Sequence, residues 1–197
     1  MSKSDPEASK RERNKTIRWV VTIFFVTMIV SGIISLVSDY IMSVSGIVVA
    51  FLILLTIIMV GILFDIIGMA VATADEKPFH AMAARKVPGA RESIKLLRNA
   101  ERVSSICNDV VGDICGVVSG SASATIAAQV IAHVDFGWPQ IISLVMSALV
   151  AGLTVGGKAV GKTFAISSCT SIVYGVGQIV YWLGHLPELL RKKKKKR

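Results

Sequence analysis

The chain has 197 residues, 53% of them hydrophobic, and its 22 Lys and Arg outweigh 13 Asp and Glu for a formal net charge of +9. Soluble domains hold roughly 45–50% apolar residues, and long charge-free apolar runs mark membrane proteins. Such runs are present here, which sets aside an ordinary soluble domain.

Residues 1–15 are polar and charged and read as a disordered basic arm. Thr16–Val37 is apolar except for Arg18 and predicts an additional N-terminal transmembrane helix over 16–38. It is too long for a signal core and no A-x-A site follows, so it reads as an uncleaved anchor. Gly46–Phe64 has no charge and predicts a second crossing, followed by a loop over 74–103. Ile114–Ala132 and Pro139–Gly157 are also charge-free and predict the third and fourth. Each run reaches the ~20 residues that cross a hydrocarbon core about 30 Å thick. The expected fold class is an all-α integral membrane protein of four transmembrane helices plus a cytoplasmic-face interfacial helix.

Basic residues set the expected orientation. All but Lys158 and Lys162 fall at or before the mouth of the first span (Lys3 to Arg18), in the 74–103 loop (Lys77 to Arg102) or in the tail. The short loops at Ser38–Ser45 and His133–Trp138 hold none, only Asp39 and Asp135. The positive-inside rule then puts both termini and the long loop in the cytoplasm of a plasma-membrane protein. Cys107, Cys115 and Cys169 are an odd set near the cytoplasmic side, read as small packing residues rather than disulfides or metal ligands.

Gly156–Thr163, "GGKAVGKT", fits the phosphate-loop pattern G-x-x-x-x-G-K-[ST]. The preceding apolar run is far longer than a nucleotide-fold strand, and the only acidic residue downstream is Glu188. No nucleotide is expected. Gly152/Gly156 and Gly157/Gly161 read instead as small faces for close helix approach.

The ionisable residues inside the spans carry the functional expectation. Lys158 and Lys162 are spaced i,i+4, as are Asp109 and Asp113, and Asp65 lies at a similar depth in the second span. An ionised group near the bilayer centre costs on the order of 2.5–3.5 kcal/mol, so these are tolerated only when paired, hydrated or ion-bound. Asp65, Asn108, Asp109 and Asp113 form the candidate ion pathway, with Lys158 and Lys162 as charge partners. Oxygen donors of this kind suit Mg²⁺. The bland alternative is a salt-bridge network that fixes helix register; Lys162 alone can snorkel to the surface.

The stretches "RKVPGARESIKLLRNAERVSSICNDVVGDI" and "GGKAVGKT" resemble the CNNM/CorC transmembrane domain, in a divergent form that lacks the CBS pair. The resemblance covers roughly 46–190. It implies a homodimer associated with Mg²⁺ transport, an ion site shared among three membrane helices, and a belt-like juxtamembrane helix over about 164–190. Asn108 stands at an Asn of the family motif, and Gly157, Lys158, Gly161 and Lys162 at the positions of its "GE-x-x-PK" signature. Lys158 thus replaces the acidic ion ligand and Gly161 the proline.

A fifth crossing over 164–190 would put the tail outside, so an in-plane helix is expected. The tail residues Arg191, Lys192, Lys193, Lys194, Lys195, Lys196 and Arg197 are read as binding anionic lipid headgroups, at roughly 1 kcal/mol per residue. Nothing aromatic is interleaved to stack bases, so no nucleic acid is expected. No nucleophile–base pair occurs, and an enzyme is not expected. Two functions follow: a divalent-cation transporter, or a scaffold whose acidic site Lys158 neutralises.

Overall fold

Ile47–Thr73 carries apolar residues on every side, so no single stripe dictates one partner, and the helix becomes the hub of the bundle. In the computed structural model the backbone is described for residues 6–133 and 138–194, and side chains for 14, 16–133 and 138–185. The helices in chain order are α1 (Pro6–Val44), α2 (Ile47–Thr73), α3 (Lys77–Ala84), α4 (Ala90–Arg98) and α5 (Ala100–Ser105). A π-helical turn, Ile106–Gly112, leads into α6 (Asp113–His133), followed by α7 (Pro139–Ser167) and α8 (Cys169–Lys194). Four helical runs are long and apolar enough to cross a membrane: Thr16–Val44, Ile47–Thr73, Ala100–His133 and Pro139–Ser167. All of α1, α4, α5, α6, α7 and α8 pack on α2.

Several boundaries differ from the sequence reading. Helix α1 begins at Pro6, so residues 6–15 are helical where a disordered arm is expected. Proline suits a first helical turn, and Lys, Arg and Glu after it are good helix formers. The third run starts at Ala100 and passes through the π turn without a break, and the 74–103 loop holds α3, α4 and the start of α5. The last helix begins at Cys169, not near 164, because α7 continues to a break at Ser168. The polybasic side chains of Arg191–Arg197 lie outside the described residues.

Glycines decide which helices approach closely. A Cβ on Gly61 of α2 would lie 2.8 Å from the Cys115 Cβ of α6, and one on Gly161 of α7 2.8 Å from Ile66 Cγ1. Gly157 meets Ile62 in the same way, whereas Gly152 and Gly156 would meet nothing within 4 Å. Of the two small faces on α7, Gly157/Gly161 is the one packed against another helix among the described residues.

Two apolar clusters result. One joins Met42 of α1, Leu54, Ile58 and Ile62 of α2, Ala122 and Ile126 of α6, and Val150 of α7. The other joins Ala70 and Val71 to Phe79, Leu97, Ala165 and Val173, and holds α3, α4 and α8 at the end of α2 that carries the basic loop. Helix α8 packs along α4 and α2, with little contact to α7. It therefore turns away from α7 instead of folding back along it. Most large apolar side chains of α1 and of the α7 face opposite Gly157/Gly161 are exposed. Surface of this kind is matched by lipid or by a partner.

Candidate functional site

Asp65 projects from α2 towards α7, where Lys158 meets it with Nζ 3.4 Å from Oδ1; about a quarter of each side chain stays accessible (25% and 26%). The third wall is the π turn. A Cβ on Gly112 would lie 2.9 Å from Asp65 Oδ1 and 3.4 Å from Lys158 Nζ, so the missing side chain makes room for the pair. Cys107 and Gly112 are both buried although five residues apart. A regular α-helix would turn one of them away, but a π turn brings i and i+5 onto one face.

The same turn places Asn108 against Gly68, three residues beyond Asp65 on α2. Its Nδ2 donates to Ser104 Oγ at 3.3 Å, while Oδ1 is shielded and has no hydrogen-bond partner among the described residues.

Asp109 and Asp113 do not join this group. Asp109 is exposed, its carboxylate accepts from Ser105 Oγ at 2.8 Å, and it faces a separate cavity beside α1. Asp113 is exposed as well. With Cys107 and Gly112 fixed on α2, Asp109 is two residues from the first and points to the opposite side. Of the three carboxylates expected around Lys158 and Lys162, the structure brings Asp65 to Lys158 and leaves Asp109 and Asp113 outside. Lys162 is exposed one turn further along α7. Among the described residues no group of three or more His, Cys, Asp or Glu is placed to hold a metal ion. The oxygen set foreseen for Mg²⁺ is not assembled.

Gly156–Thr163 lies inside α7, where backbone N–H groups serve the helix ladder instead of a phosphate cradle. The pattern is a stretch of helix.

One polar site was not anticipated. Asp39, assigned from sequence to a loop, lies within α1 and accepts from Ser121 Oγ at 3.0 and 3.2 Å and from Thr125 Oγ1 at 3.4 Å. One turn on, Gln129 Nε2 donates to the Met42 carbonyl at 2.7 Å. Ser121, Thr125 and Gln129 repeat every four residues, a stripe that the sequence displays but that a hydropathy reading passes over. Replacing Asp39 by Ala is expected to loosen α1 from α6 by roughly 1–2 kcal/mol, the upper range for interhelical hydrogen bonds in membranes. A disulfide-trapping series between α1 and α6 checks it: crosslinking should become slower and less position-specific.

Compared with protein-family models, curated proteins and solved structures, the chain matches none of them.

Proposed function

We propose that the chain is a membrane-embedded helical assembly module whose intramembrane acidic site is neutralised from within by Lys158. The observation that carries this is the Asp65–Lys158 pair, 3.4 Å apart in a niche made by Gly112. A covalently tethered ammonium stands beside the carboxylate that a transported cation would need. The distribution of basic residues favours cytoplasmic termini at the plasma membrane, with α8 lying in the interface and the tail on anionic headgroups. The exposed apolar faces of α1 and α7 suit association with a second copy.

The test is Mg²⁺ flux in proteoliposomes of the purified protein. Wild type is expected to conduct no Mg²⁺ above empty vesicles. Flux that Asp65→Asn abolishes would overturn the proposal.

A second reading, divalent-cation transport of the kind implied by resemblance to the CNNM/CorC domain, is favoured by the shielded and unpartnered Asn108 Oδ1. It shares a face of α2 with Asp65, since Gly68 follows Asp65 by three residues. An unpaired shielded oxygen on the side of α2 that carries Asp65 supplies one donor of an oxygen-donor site. On this reading Lys158 leaves Asp65 during the cycle, and Asn108→Ala reduces flux while leaving the fold intact.

A further inference from the structure

We propose that the cavity between α1 and the start of the third apolar run binds an ammonium-bearing phosphodiester, the headgroup chemistry of a zwitterionic phospholipid. The cavity measures about 980 Å³. Its wall sets Arg18 and Arg102 against Glu101 and Asp109, with Trp19 and Ser105 beside them.

Three features choose the ligand. The first is charge: two guanidinium groups and two carboxylates cancel, so a purely anionic headgroup meets two carboxylates and a bare cation meets two guanidiniums. A ligand carrying both signs satisfies each half, with phosphate on Arg and ammonium on carboxylate. The second is preorganisation. The Arg102 guanidinium is held 5.8 Å over the Trp19 ring, and Asp109 is held by Ser105. The third is depth. Arg18 and Trp19 stand at the beginning of the apolar run Thr16–Val44, and Glu101 and Arg102 at the beginning of Ala100–His133. Headgroups lie at that level. Val26 and Ile33, seven and fourteen residues on from Trp19 and so on the same side of α1, are exposed and offer a track for acyl chains.

This assignment gives Asp109 a role outside the Asp65 site. It rests on membrane embedding but not on the neutralisation of Asp65 by Lys158.

The experiment uses the full chain, purified in detergent and stripped of lipid, with native mass spectrometry as the readout. With the seven basic tail residues, Arg191–Arg197, each changed to Gln so that the tail's own hold on anionic headgroups does not enter, phosphatidylethanolamine is expected to be retained roughly ten-fold better than phosphatidylglycerol, and Arg102→Gln in that background to weaken its retention roughly five-fold. Asp109→Lys is expected to move the preference towards phosphatidylglycerol. Equal retention of the two lipids by the tail-neutral chain overturns the proposal. So does a selectivity that neither substitution changes. Water-soluble glycerophosphoethanolamine separates the two sources of this chemistry. Binding of that compound alone supports a soluble headgroup as ligand; binding only of the diacyl form supports a bilayer lipid; binding of neither overturns the site. A chain that stays dispersed without detergent would instead refute membrane embedding, before any lipid is added.

Discussion

Lys158→Ala is expected to lower the stability of the purified protein by on the order of 3 kcal/mol. Removing one partner of a buried ion pair strands the other charge, which costs about 3–5 kcal/mol. Leaving an ionised carboxylate within a membrane span costs about 2.5–3.5 kcal/mol on the insertion scale. The lower part of the first range applies, because about a quarter of each side chain remains accessible. The companion variant Asp65→Leu/Lys158→Met removes both charges and keeps the volume, and it is expected to recover most of the loss, as replacement of buried pairs by apolar residues commonly does. Thermal unfolding in detergent, followed by tryptophan fluorescence, measures both. Millimolar Mg²⁺ then separates the two functional readings. If Lys158 simply neutralises Asp65, Mg²⁺ leaves the unfolding midpoint of Lys158→Ala unchanged. If the ammonium stands in a cation's place, Mg²⁺ raises that midpoint, and Asp65→Asn/Lys158→Ala removes the response.

The sequence groups Asp65, Asp109 and Asp113 as acidic partners for Lys158; why the structure brings Asp65 to it and leaves the other two outside has a physical answer. The four apolar runs are a one-dimensional signal, readable from length and composition because crossing a hydrocarbon core asks for about 20 apolar residues in a row. Which face of a helix meets a neighbour is a rotational property, and it was inferred from i,i+4 spacing on an assumed α-helix. The π turn at Ile106–Gly112 breaks that assumption by placing Cys107 and Gly112 together on α2. Asp109 then turns outward to Ser105, and Asp65 is left as the carboxylate within reach of Lys158. Nothing in "ICNDVVG" announces a π turn, since no proline is involved and the glycine alone is ambiguous. Asp39 was missed for the opposite reason. Its partners Ser121 and Thr125 were visible at helical spacing, but the residue was assigned to a loop because charge near a span end reads as a boundary. The helix continues to Val44, and hydroxyl groups on α6 accommodate the carboxylate.

Gly177→Ala and Gly175→Ala are expected to change stability in opposite directions, although they are the same substitution two residues apart on α8. Alanine is favoured over glycine in a helix interior by roughly 1 kcal/mol, so Gly175→Ala, whose Cβ would meet nothing within 4 Å, gains that or is neutral. At Gly177 the added Cβ would lie 2.7 Å from the Gly89 carbonyl oxygen and 3.0 Å from the Ser93 nitrogen, and would also strike Ser93 Oγ. Those are backbone atoms at the start of α4, and Gly89 has a φ of +85° that holds it in the turn, so they cannot step aside as a flexible side chain would. Ser93 Oγ meanwhile bridges α4 to α8 by donating to the Gly89 carbonyl at 3.0 Å and the Val173 carbonyl at 3.2 Å. Overpacking of this kind costs about 1–3 kcal/mol, and here it falls on the contact that turns α8 away from α7. The measurement is paired: unfolding midpoint, and protease cleavage at the α7–α8 junction around Ser168. Gly177→Ala should lower the midpoint and expose the junction, while Gly175→Ala does neither. Equal behaviour of the two variants would mean that α8 is held by its apolar face against Val71 and Phe79 and not by the close approach to α4.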